Sequence, residues 1–439
     1  MKYTIHVEDF GKIKKASIKV APLTLLVGDN NSGKSYLLSL IWAFQSFEMH
    51  HILFLGIEQA SGFKELAEKI SLFIEGKLTE VKVASDDFLS ILNELLQRNK
   101  ESLVRSIFNS SSISVGKLSV STEYNHLFTI KGNAENISIF EENPETGISL
   151  GVYSKIEKQF MVQHTIELLF SLALLNGQWN AIYFPAARTG FVLAKDVINK
   201  AARKSAFDAI KSFNGNGGES LEPFTKPIMN FLDAMNVTEP QEKSERNQKL
   251  LHWIQTEMSH GKVNYRDAMN QNIEYYPEGL ERGLPLRAVS AVVTELTPLM
   301  ILLQYQKNLD FICYEEPEMC LHPQLQLKMA KLLIRMISAG ITIVATTHSD
   351  IILQYINNAC TLSSLGKPEK LLSALELTEE DCISVKDVAV YQLKDQGAYS
   401  EVRELEPTEN GFEVPTFKIA LQDILNQTSE NYTYEEQGD

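Results

Sequence analysis

Three observations predict an α/β fold for this chain. Short apolar runs, Leu23–Val27, Leu309–Tyr314 and Ile341–Thr346, alternate with stretches whose apolar residues recur at helical spacing. A Gly/Asn-rich turn, GDNNSGKS at Gly28–Ser35, joins the first run directly to a helical stretch. Between the two halves of this pattern lies a long segment of different character, read as an insertion of helices with a small β meander.

In the first half of the core, residues 1–50, Tyr3–Val7 and Ala16–Val20 read as short strands joined by a turn at Phe10–Lys12. The third strand, Leu23–Val27, feeds the turn, after which Leu37, Leu38, Ile41 and Phe44 keep helical spacing. Residues 51–270 form the insertion. It is helical over about 60–105 (Phe63, Leu66, Ile70, Phe73, then Phe88–Leu96), alternates as a meander over 112–141, and returns to helix over about 156–175. A core-associated strand near 181–190 begins at Ala181–Phe184, and 192–262 reads as helix broken by loops at Asn214–Ser220 and Asn236–Asn247. The second half of the core, residues 271–395, carries a helix at 289–306, the strand Leu309–Tyr314, a helix over about 322–338 and the strand Ile341–Thr346. Asp387–Leu393 and Val402–Leu405 alternate as strands, so 396–439 is a C-terminal β segment with an acidic tail. There is no internal repeat and no sustained heptad run.

With 56 acidic against 41 basic residues the net charge is −15, which excludes a surface coated in positive charge for non-specific nucleic-acid binding. A local basic groove stays open. Lys200, Arg203, Lys204 and Lys211 fall near one another on a helix, and Lys12, Lys14, Lys15 and Lys19 crowd the first hairpin; each group also reads as a solvated face. The four cysteines have no CxxC spacing, which fits a reducing compartment. The alternating N-terminus has no signal-peptide core and no apolar run approaches about 20 residues, so a cytoplasmic protein without a membrane span is expected.

GDNNSGKS matches G-x-x-x-x-G-K-[ST] at every fixed position, between a strand and a helix. Its glycines let backbone N–H groups turn inward toward phosphates, with the positive end of the helix dipole behind them. Gly28, Asp29, Asn30, Asn31, Ser32, Gly33, Lys34, Ser35 and Tyr36 are thus candidate ATP-binding residues. Lys34 would reach the β- and γ-phosphates, and the Ser35 hydroxyl would ligate Mg²⁺.

FICYEEPEMCLHP, Phe311–Pro323, is an apolar strand ending in adjacent carboxylates. An exposed glutamate pair at a strand end is the ordinary reading. Beside a phosphate loop, the first carboxylate holds the Mg²⁺ shell and the second activates water, so Glu315 is assigned to the metal and Glu316 to general-base chemistry. ITIVATTHSD then ends a second strand at His348, one βαβ unit on, where an imidazole would face the γ-phosphate.

Together, GDNNSGKS, YEEPEMCLHP and ATTHSD resemble the ABC-type ATPases, among them the compact bacterial AAA-domain ATPases of overcoming-lysogenization-defect nucleases and anti-phage systems. The resemblance covers roughly 1–50 and 280–360, and YFPAARTGF at Tyr183–Phe191 is similar to a segment recurrent in that group. It implies a P-loop NTPase of ABC-ATPase type and a head-to-tail homodimer, or a higher homo-oligomer, with ATP between the phosphate loop of one subunit and a signature serine of the other. LPLRAVSAVVTEL, Leu284–Leu296, stands where that signature is expected, with Ser290 as the serine; Ser290 also reads as a plain helix cap. Ala291 and Val292 depart from the Ser/Gly-Gly of relatives, and Glu315 from their Asp. Arg188 is a candidate for phosphate or the dimer partner, or else a surface ion pair. Gln45 and Gln159 are both possible γ-phosphate sensors.

The function this implies is a dimeric ATP switch in nucleic-acid metabolism, anti-phage defence in particular, working with a separate nuclease or toxin and with DNA as a possible ligand. The stretch after His348 carries no convincing metal-nuclease cluster. An ATP-gated scaffold with little turnover is the first alternative. A transporter nucleotide-binding subunit is the second, disfavoured by the large insertion.

Overall fold

The computed structural model describes residues 3–123, 125–132, 136–141, 147–151, 158–175, 181–195, 197–198, 200, 224–236, 244–267, 272–409, 411–414 and 425–428. A nine-stranded sheet in the order β5-β1-β2-β16-β15-β3-β14-β13-β9 organises them. Its strands are β1 (Tyr3–Phe10), β2 (Ile13–Lys19), β3 (Leu23–Gly28), β5 (Lys117–Thr122), β9 (Ala181–Phe184), β13 (Phe311–Glu315), β14 (Thr342–Thr347), β15 (Val388–Asp395) and β16 (Ser400–Leu405). From β15 to β9 the five strands run parallel, whereas β5, β1 and β2 pair antiparallel.

The parallel strands are apolar throughout because both sheet faces are covered. In β3, Leu26 joins the core under the Lys34–Gln45 helix, while Leu23, Leu25 and Val27 face the opposite core. The pleat repeats in β13, with Phe311 and Cys313 on the first side and Ile312 and Tyr314 on the second. The first core holds much of the inserted segment, including the Ser85–Phe108 and Lys158–Leu175 helices; the second holds the Ala291–Tyr305, Pro323–Ser338 and Asp350–Ser364 helices.

The observed fold is the α/β class that the sequence predicts, with the phosphate loop between β3 and its helix and a mixed helical and β segment between the two halves. The meander is drawn differently from the sequence reading. Residues 117–122 leave it as β5 to edge the main sheet beside β1. The small sheet is instead built from β4 (Glu80–Ala84), β6 (Leu127–Gly132), β7 (Asn136–Glu141) and β8 (Gly147–Gly151). β4 interrupts the helical reading of 60–105, its Val81 and Val83 buried between exposed neighbours. A three-stranded sheet of β10 (Gly261–Asp267), β11 (Asn272–Pro277) and β12 (Leu284–Pro285) precedes the helix that starts after Ser290. Asn214–Ser220 and the acidic tail lie outside the described residues, and no described helix is long and apolar enough to cross a membrane.

Candidate functional site

Parallel strands present their C-terminal ends at one edge of the sheet, where ligands of open α/β folds bind. β3 ends at Gly28, β13 at Glu315 and β14 at Thr347, and the pairings Glu315↔Thr346 and Thr347↔Val27 bring these ends level. Sequence-distant residues therefore meet here: the phosphate loop, the Glu315–Glu316 pair and His348.

The loop is shaped by three left-handed residues, Gly28 (φ 124°), Asn31 (φ 58°) and Gly33 (φ 95°). Gly28 is required by the sheet as well as by the turn: a Cβ there would stand 2.0 Å from the Leu393 carbonyl oxygen of β15. Ser32 Oγ donates to the Asp29 carbonyl at 2.7 Å and closes the turn from inside. Asn30, Asn31 and Ser35 are exposed at its mouth. Lys34 is buried and folds its ammonium back onto the carbonyls of Gly28 (3.1 Å) and Asp29. Burial lowers its pKa, with Glu316, Asp29 and Glu318 pulling the other way. Gly33 gives the following helix no side-chain cap; the Tyr36 and Leu37 N–H groups turn back onto the Gly33 carbonyl, both at 3.1 Å.

Opposite the loop, Glu316 has φ 42°, a strained conformation for a residue with a side chain. Its amide is fixed by Thr346, donating to the carbonyl at 3.0 Å and Oγ1 at 3.2 Å. Its carboxylate Oε1 stands 3.8 Å from His348 Nε2. Burial, then the nearby Lys34 charge, lowers the imidazole pKa, so His348 is neutral at pH 7 and its contact with Glu316 is not a charged pair. Glu315 is turned toward β9: its Oε2 accepts the Ala186 N–H at 2.8 Å.

A family model, the AAA ATPase domain, matches residues 1–353. The chain belongs to the AAA ATPase domain family. Solved structures similar to this AAA ATPase domain include the SMC head domain from Thermotoga maritima, 10% identical, covering 92% of this chain and 99% of that one with a TM-score of 0.34. Another is an SmcHead bound to the C-winged helix domain of ScpA, 14% identical over 92% of this chain and 97% of that one, TM-score 0.35. A third is the Smc head domain with an extended coiled coil bound to the C-terminal domain of ScpA, derived from Pyrococcus furiosus, 13% identical over 98% and 100%, TM-score 0.35. No curated protein matches the chain.

Several residues of the AAA ATPase domain sit otherwise than the sequence suggests. The Tyr36 ring packs against Phe108 (5.0 Å between centroids) and Phe10 (6.0 Å), so only its backbone faces the loop. Asp29 turns its side chain away, its Oδ2 accepting the Asp395 N–H at 3.0 Å. Arg188 is neither a surface ion pair nor free to reach phosphate. It is fully buried and paired with Glu295. Gln45 lies at the far end of the helix that starts at Lys34, about 16 Å away along its axis, and binds the Tyr3 hydroxyl. The side chain of Gln159 lies outside the described residues.

Ser290 caps the Ala291–Tyr305 helix: its Oγ accepts the Val293 N–H at 3.4 Å, and the residue is exposed. Its hydrogen bonds among the described residues stay within that helix, so the chain's own contacts do not join it to the phosphate loop. The lysines of the first hairpin are engaged rather than free: Lys12 with Asp395 (2.5 Å), Lys15 with Glu8 (3.5 Å), Lys19 with Glu123, and Lys14 4.8 Å over the Tyr399 ring. Of the helical basic group, Lys200 is exposed and Arg203, Lys204 and Lys211 lie outside the described residues.

One functional residue escaped the sequence reading. Glu318 is half-buried, and its Oε1 accepts both the His348 N–H (2.6 Å) and the Thr347 hydroxyl (2.9 Å). Burial raises its pKa. The signal was present in the third glutamate of EEPE, which reads as an ordinary surface carboxylate until β14 is laid beside it.

Proposed function

We propose that this chain binds and hydrolyses ATP as an ABC-type dimeric switch in nucleic-acid metabolism, acting with a separate effector. The observation that carries the reading is the convergence of the phosphate loop, Glu316 and neutral His348 at the ends of β3, β13 and β14. The loop fits a nucleotide triphosphate. It supplies uncapped helix N–H groups, a buried lysine whose hydrogen-bond partners among the described residues are carbonyls of the loop itself, and exposed asparagines at its mouth. Ser35 and Glu315 would hold Mg²⁺, which supplies charge neutralisation at the β- and γ-phosphate oxygens.

The chain's own residues then divide the work. Lys34 swings from the loop carbonyls to the phosphate oxygens. Glu316 accepts a proton from the attacking water, and His348, neutral and donor-capable, orients the γ-phosphate. Ser290, exposed at the start of its helix, is the group offered to the nucleotide of a second copy, so the homodimer closes around two ATP molecules.

A role with nucleic acid is supported by a cavity of about 540 Å³ beside the signature segment, where Arg282 and Arg287 join Arg266, itself paired with the cavity's one carboxylate, Glu274, at 3.4 Å. Such a concentration of positive charge in a chain of net charge −15 suits a phosphate backbone. The effector is a nuclease or toxin and the setting anti-phage defence, a reading that rests on the motif resemblance.

The test is steady-state phosphate release by the purified protein beside Glu316→Gln, with and without duplex DNA. Release that falls by about 10²–10⁴-fold in the variant and rises with DNA supports the switch. Tight ATP binding with no release above the variant leaves the alternative that Ala291 and Val292 favour, an ATP-gated scaffold.

A further inference from the structure

Arg188 is among the largest fully buried side chains of the protein, and it touches the two glutamates of the site without touching their carboxylates. Its Nη1 donates to the carbonyl of Glu315 at 2.7 Å and to that of Pro185 at 3.0 Å, and its Nη2 donates to the carbonyl of Glu316 at 2.9 Å. The guanidinium carbon lies 4.8 Å over the Tyr314 ring. One planar fork thus spans the peptide carbonyls on which both acidic side chains hang, at the residue whose φ of 42° needs an external restraint.

Among the described residues, the charge of that fork is matched by one carboxylate. Glu295, 1% exposed, forms an ion pair with Nη2, and its other oxygen accepts the Thr189 hydroxyl at 2.6 Å. Glu295 belongs to the Ala291–Tyr305 helix, five residues after Ser290, about 7.5 Å along the axis. Burial raises its carboxyl pKa and the Arg188 charge opposes that, as for a buried pair whose members need each other. A rigid connection therefore runs from the exposed helix start at Ser290, through Glu295 and Arg188, to the Glu315–Glu316 backbone.

We propose that Arg188, held by Glu295, is a positioning residue that sets the Glu316 backbone from the signature helix, so that engagement of Ser290 by a second copy is felt at the catalytic carboxylate. This rests on the ATPase reading above. Movement of the helix shifts Glu295, Glu295 shifts the fork, and the fork carries both carbonyls. Arg188 touches neither phosphate nor water in this scheme.

Two conservative variants test it. Arg188→Lys keeps the charge but cannot span two carbonyls and a carboxylate; Glu295→Gln keeps the shape and removes the charge. Each is compared with wild type and Glu316→Gln for ATP affinity, for single-turnover rate with ATP prebound, and for amide hydrogen exchange. The expected result is unchanged ATP affinity, a turnover rate lowered by about 10- to 100-fold, and faster exchange confined to residues 290–295 and 315–318. A kcat within twofold of wild type, or exchange raised across the whole chain, overturns the proposal. If Arg188→Lys does not fold, Glu295→Gln decides alone. Should wild type release no more phosphate than Glu316→Gln, the ATPase reading fails, and the exchange pattern still judges the linkage.

Discussion

The Oε1 of Glu318 receives the backbone N–H of His348 at 2.6 Å, so the residue that follows β14 at the candidate site is held in place by a carboxylate three residues beyond β13. Replacing Glu318 with alanine strands the His348 N–H and the Thr347 hydroxyl, which costs about 1–3 kcal/mol for each buried group left unpaired. We expect a lower midpoint in urea unfolding and slower phosphate release. Because burial raises the Glu318 pKa, its contribution to stability is complete below the unfolded value near 4.5 and is lost as pH rises through the folded value. Glu318→Gln should remove that loss, measurable as a flatter stability profile above pH 4.5.

The acid limb of activity tests His348. Its pKa lies below the ordinary 6.5, so the imidazole stays neutral as pH falls through 6.5 and activity should decline only at lower pH. Its contribution to stability runs in the same direction, full above 6.5 and lost as pH falls through the folded value. A pH–rate profile whose acid limb has its midpoint at 6.5 or above would count against this placement, and His348→Gln should abolish the limb.

Gly28 and Lys34 lie in one loop but should fail differently. Alanine at Gly28 meets the Leu393 carbonyl and a φ of 124°, so Gly28→Ala is expected to destabilise the fold by about 1–3 kcal/mol from the backbone alone. Lys34→Ala removes a side chain whose hydrogen bonds among the described residues go to loop carbonyls. It should keep its thermal midpoint within a few degrees of wild type and lose ATP affinity by at least tenfold (about 1.4 kcal/mol). Calorimetry and nucleotide titration on the two variants separate these outcomes.

The cavity rimmed by Arg282 and Arg287 makes a salt-dependent prediction. If it carries a nucleic-acid backbone, alanine at either arginine should weaken duplex binding similarly across sequences and reduce the slope of log affinity against log salt by about 1. An unchanged slope in both variants would remove this cavity from the interface.

Much of the core is legible in the sequence because it obeys local rules. The apolar runs of β3, β13 and β14 are buried on both faces and need no partner to be recognised, and the loop between β3 and its helix is a fixed spacing of residue types. The parts that were missed depend on pairings remote in the chain. Arg188 in PAARTG reads as a contact to phosphate or the dimer partner or else as a surface ion pair, and only the register of β9 on β13 buries it against Tyr314. β5 has the same alternation as the meander strands around it, and nothing in that period says that its partner is β1.

The order of the sheet also bears on how the protein comes into being. β15 and β16 are near the end of the chain, yet they fill the space between β2 and β3, near its start. Asp29 is tied to Leu393 and Asp395 across 366 residues in the second case. The bracing of the phosphate loop by Leu393 and Asp395 is therefore available to a growing polypeptide only after β15 has emerged. Loop-closure entropy places that step late, and a chain cut short after β14 would carry every nucleotide motif without the neighbour that braces them.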